Sequence, residues 1–134
     1  MSADLKFHAV RAALLTAVVA AFAVLTPTAA HAQDASVKTA SQHASLAAKA
    51  ADLATVKKHL HHVINCLEGK SGKDYDAGAG DPCKGVGASY TAGSANDAKV
   101  QEAVRLLNVA ETLDSEVAAK HVAEAAAAIL EEVK

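Results

Sequence analysis

Tryptophan is absent from this chain, and methionine occurs once, as Met1. Its aromatics are Phe7, Phe22, Tyr75 and Tyr90. The core must therefore be built from Ala, Leu, Val and Ile. Without an internal methionine there is no thioether ligand, which argues against a Met-rich copper carrier and against His/Met haem ligation. Cysteine occurs only as Cys66 and Cys83, and no Cys-x-x-Cys-His is present, so there is no covalent haem attachment motif. Basic charge is not in excess: the formal net charge is −2 at pH 7. With so few aromatics to stack on bases, nucleic acid is not an expected partner.

Long apolar runs are missing too, except at the N-terminus. Ala12 to Leu25 is apolar apart from Thr16, Lys6 and Arg11 supply a basic flank, and Ala30-His31-Ala32 has the small-x-small pattern of a cleavage site. A membrane span needs ~20 apolar residues, and this run is shorter and closed by Pro27. Residues 1–32 are thus expected to be a secretory signal peptide, cut after Ala32. The remaining chain, 33–134, is long enough for one small domain, periplasmic or secreted, with no membrane span after cleavage.

What is present is helical patterning. Leu46, Leu53, Val56, Leu60, Ile64 and Leu67 recur at spacings of three, four or seven, with Ala50 on the same side. That predicts one helix over about 41–68, started by the capping-box spacing of Thr39-Ala40-Ser41-Gln42 and ended by Gly69. Residues 33–38 are expected to be irregular. All seven glycines lie between Gly69 and Gly93, so residues 69–95 read as a long loop. A second helix, about 96–113, can be capped by Ser94 or Asn96 and carries Val100, Val104, Leu107 and Val109. A third, about 115–133, starts at Asp114-Ser115 and places Ala118, Val122, Ala125, Ile129 and Val133 on one face. No alternation of period two persists, and alanine is a poor strand former. The expected fold is all-α, a small three-helix bundle with a four-helix bundle as the alternative.

Chemistry concentrates in Lys58-His59-Leu60-His61-His62-Val63-Ile64-Asn65-Cys66. At 100° per residue, His59, His62 and Cys66 fall within ~60° of one another, while His61 points to the opposite flank. His59 and His62 are close enough to share an ion, as are His62 and Cys66. His59 and Cys66 lie ~10.5 Å apart along the axis, too far to share one easily. Two side chains hold a metal weakly, and zinc takes three or four ligands. His121, at the edge of the third helix's expected apolar face, is the candidate from across the bundle. The ion expected at such a site is copper or zinc. Histidines that merely titrate on a helix surface are the competing reading.

An exported chain with two cysteines pairs them as a rule, and a Cys66–Cys83 bridge would restrict the unfolded chain by roughly 3 kcal/mol. Cys66 is a thiolate ligand only if reduced. The acidic run Asp74 to Asp81 lacks the required residues of a calcium loop, and the glycines near it do not form a phosphate loop. No nucleophile-elbow or other catalytic signature appears, so the chain is not read as an enzyme.

Composition, with His59, His61 and His62 on a helix, makes the segment Ala44 to Cys66 resemble the small histidine-rich metal-binding proteins of bacterial periplasms. The resemblance implies a helical bundle that binds divalent copper, nickel or zinc without catalysis. The chain departs from them in lacking histidines throughout its helices and in adding a cysteine-flanked loop, which limits it to one or two sites. The alternative class is a non-catalytic module that binds an envelope protein, with its histidines incidental.

Overall fold

The computed structural model describes residues 29–88, 90 and 92–134. Nearly all of the expected leader therefore lies outside the described residues, and its expected cleavage point falls within the first helix. Four helices appear: α1, Ala29–Lys49; α2, Leu53–Glu68; α3, Ala95–Glu111; and α4, Glu116–Glu131. No strand occurs among the described residues. The bundle class matches the expectation, in its four-helix form. α1 packs against α2 and α4, α3 against α4 and α2, and α2 touches α4 across the centre.

The expected single helix over 41–68 is instead two helices, and residues 33–38 belong to the first of them. The interruption is at Ala50-Ala51-Asp52. Asp52 takes an extended conformation, φ −150° and ψ 160°, and its carboxylate caps α2 by accepting from the Thr55 N–H at 2.8 Å. The Thr55 hydroxyl donates to the other carboxylate oxygen at 2.9 Å. These bonds satisfy donors that a helix start leaves orphaned and hold the Asp52 carboxyl below its usual range, so the chain reverses here. Thr39 and Ser41, expected to start a helix, lie inside α1, where the Thr39 hydroxyl donates back to the Ala35 carbonyl.

The core faces also differ from the pattern of larger side chains. On α1 the buried stripe is Val37, Ala40, Ala44 and Ala47, while Leu46 is 48% exposed. On α4 it is Ala119, Ala123, Ala126, Ala127 and Leu130, one position round from the expected face; Val122, Ile129 and Val133 only flank the core. Alanine faces on α1 and α4 let these helices approach closely, and the volume is filled by Val56, Leu60, Val63, Ile64 and Leu67 of α2 with Val100, Val104 and Leu107 of α3. Three caps occur where the sequence put them: Ser94 on α3, Ser115 on α4, and Gly69 at φ +65° after α2.

Residues 70–93 are turns and bends among the described residues. They are tied to α2 at both ends: the Ala88 N–H donates to Leu67 O at 2.9 Å and the Asp74 N–H to Glu68 Oε2 at 2.7 Å. The Cys66–Cys83 disulfide is present, with Cα atoms 5.2 Å apart.

Candidate metal centre

Folding α1 back on α2 brings His43 over His59 and His62. His43 Nδ1 is 3.2 Å from His59 Nδ1 and 3.3 Å from His62 Nδ1. The ring centroids lie 4.8 to 5.7 Å apart, and each of the three rings is half-buried. Three histidines, His43, His59 and His62, are thus close enough to hold one metal ion. Zinc–imidazole bonds of ~2.0–2.1 Å in tetrahedral geometry place nitrogen ligands ~3.3–3.4 Å apart, the spacing seen about His43.

Proton bookkeeping makes the cluster informative. The other nitrogen of His62, Nε2, is 2.8 Å from the Ala79 carbonyl oxygen. A carbonyl only accepts, so Nε2 carries the proton and, in the neutral ring, His62 Nδ1 presents a lone pair to His43. His43 Nδ1 then has one proton at most to serve both neighbours. A metal ion in the middle would take up the converging lone pairs that this hydrogen bonding leaves in excess.

Burial, first, and the imidazoles of His62 and His59, second, hold His43 below the ordinary histidine range. His59 is lowered as well, by burial and then by His62 and Lys58. Both shifts favour the neutral, ligand-competent ring near neutrality.

Of the site residues expected from sequence, His59 and His62 come together. His121 does not join them: it lies on the exposed face of α4, its side chain 71% exposed and its Nδ1 3.1 Å from Glu124 Oε2. Its placement follows from the rotation of the α4 core face onto the alanines. Cys66 is bonded to Cys83 and so is no thiolate ligand. His61 is turned away, as expected, with its Nε2 3.2 Å from Glu111 Oε2. Burial raises the Glu111 carboxyl, and His61 and Lys57 draw it the other way.

His43 was missed because an unbroken helix would put it ~24 Å from His59. Its signal was the reversal at Asp52, readable from the Asp-x-x-Thr capping spacing. With the turn centred on Ala51, positions 43 and 59 face each other across an antiparallel helix pair.

Asn65, fully buried, donates through Nδ2 to the carbonyls of Asp76 and Gly80, both at 2.7 Å, and accepts the Asp76 N–H at 2.9 Å. These bonds lay the 76–80 segment along α2. Comparison of the chain with protein-family models, curated proteins and solved structures finds no match.

Proposed function

We propose that this is an exported, non-catalytic protein that binds one divalent transition-metal ion through His43, His59 and His62. The observation that carries the reading is the approach of the His59 and His62 Nδ1 atoms to the Nδ1 of His43, at 3.2 and 3.3 Å. Imidazole suits copper, nickel and zinc alike. On the general affinity order copper(II) ranks above zinc(II), while the 3.2 and 3.3 Å separations about His43 are close to those between nitrogens on a tetrahedral zinc. His121 drops out of the ligand set, and His43 replaces it.

Export is supported by the basic, apolar and small-residue order of the first 32 positions and by a disulfide, which persists in oxidising compartments. None of the described helices is long and apolar enough to cross a membrane.

Isothermal titration of residues 33–134 with Cu(II) and Zn(II) tests the reading. One ion should bind per chain, and a His43→Ala variant should abolish that stoichiometric binding. Wild-type affinity no tighter than that of a pair of surface histidines would overturn it.

A further inference from the structure

Asn65 follows His62 by nearly one helical turn, is wholly buried, and spends its entire carboxamide on one loop. The bonds to Asp76 and Gly80 fix the backbone on either side of Ala79, whose carbonyl meets His62 Nε2 at 2.8 Å. The loop lies directly against the ring: a Cβ at Gly80, where φ is +96°, would be 3.3 Å from His62 Nε2. The far end of the loop is held by the bridge from Cys83 to Cys66, the neighbour of Asn65. Between them, Asp81 accepts the Cys83 N–H at 3.0 Å and the Tyr75 hydroxyl at 3.1 Å. None of these bonds involves a converging Nδ1 atom, so whatever they do for an ion they do through His62.

We propose that Asn65 is a positioning residue of the metal centre. By docking residues 76–80 on α2 it aims the Ala79 carbonyl at His62 Nε2, which fixes the ring's orientation and commits its proton to Nε2, leaving Nδ1 free for an ion. The Cys66–Cys83 bridge keeps that loop in register, so the loop is the outer shell of the site. Outer hydrogen-bond partners of this kind set the tautomer and basicity of a metal-bound histidine, and their loss costs ~10–100-fold in affinity. The functional consequence rests on the metal-binding reading above; the state of the His62 ring does not.

The experiment pairs two measurements on the 33–134 chain. Nitrogen-15 NMR of the metal-free protein should show His62 with a protected Nε2–H, and Zn(II) titration should give the wild-type affinity. Asn65→Asp keeps the volume and the acceptor for the Asp76 N–H but loses both donations to carbonyls. In that variant the protected Nε2–H should vanish and zinc affinity should fall ~10–100-fold, with the helical circular dichroism retained. A Cys66→Ala/Cys83→Ala double variant, which removes the bridge and leaves no thiol to bind metal, should move both readouts the same way and serves if Asn65→Asp does not fold. Loss of the Nε2–H with unchanged affinity, or loss of affinity with the Nε2–H intact, would overturn the assignment. If the wild type binds no ion, the metal reading fails, while the ring comparison still decides whether Asn65 sets His62.

Discussion

His43 lies eight positions before Ala51 and His59 eight positions after it, and their Nδ1 atoms are 3.2 Å apart. The histidine cluster is therefore a property of the helix reversal, with one imidazole on α1 and two on α2.

Single substitutions should sort the histidines by this geometry. His43→Ala, His59→Ala and His62→Ala each remove a donor and should weaken metal binding by more than the ~10–100-fold of an outer-shell loss. His61→Ala and His121→Ala, whose partners are Glu111 and Glu124, should leave affinity near the wild-type value. Equal losses at His59, His61 and His62 would instead mean that the stretch chelates as a flexible peptide.

Acid should release the ion. A protonated imidazole has no lone pair, so affinity should decline as pH falls through the histidine range. Because His43 and His59 are both lowered from 6.5, release should come at lower pH than for exposed histidines. The same shifts bear on the metal-free fold. A base with a lowered folded pKa binds fewer protons folded than unfolded near that pH, so its contribution is intact above the unfolded value and is lost as pH falls through the folded one. Urea unfolding of the metal-free protein at neutral pH and at about pH 5 should show lower stability in acid, and His43→Ala should flatten the difference.

Removing the cap at the reversal should loosen the site from a distance. Asp52→Ala leaves the Thr55 N–H without its acceptor and makes Ala50 to Ala54 all alanine or leucine, which favours a continuous helix. Thermal unfolding should occur at lower temperature than in the wild type, and zinc affinity should drop although no ligand is touched. An unchanged affinity would show that α1–α2 packing alone sets the approach of His43.

Two leucines of the expected apolar stripe end in opposite environments. Leu60 is fully buried, and Leu60→Ala should cost about 2–5 kcal/mol in urea unfolding. Leu46, at 48% exposure, should tolerate alanine with a change within about 0.5 kcal/mol.

Processing tests export independently of the metal. Intact-mass measurement of the protein secreted from expressing cells should give a chain beginning at Gln33, with the mass of the bridged form. A retained leader would remove the basis for placing it outside the cytoplasm.

The helical class, the caps at Ser94 and Ser115, the stop at Gly69 and the Cys66–Cys83 pairing were all legible in the sequence. Each depends on local chemistry: a side chain reaching a backbone amide three residues on, a residue that tolerates positive φ, or two cysteines in a chain whose sequence predicts export. The pairing of His59 with His62, and the exclusion of His61, were legible for the same reason, since both follow from the 3.6-residue period. What the tertiary structure decided was everything that depends on which face meets which neighbour. Large residues drew the expected stripes, but α1 and α4 pack through alanines, so Leu46 faces solvent and His121 stands away from the centre. His43 enters because Asp52 turns one apolar period into two antiparallel helices. The Ala79 carbonyl reaches His62 only because buried Asn65 binds a segment 11 residues further along the chain, a contact that no period along α2 encodes.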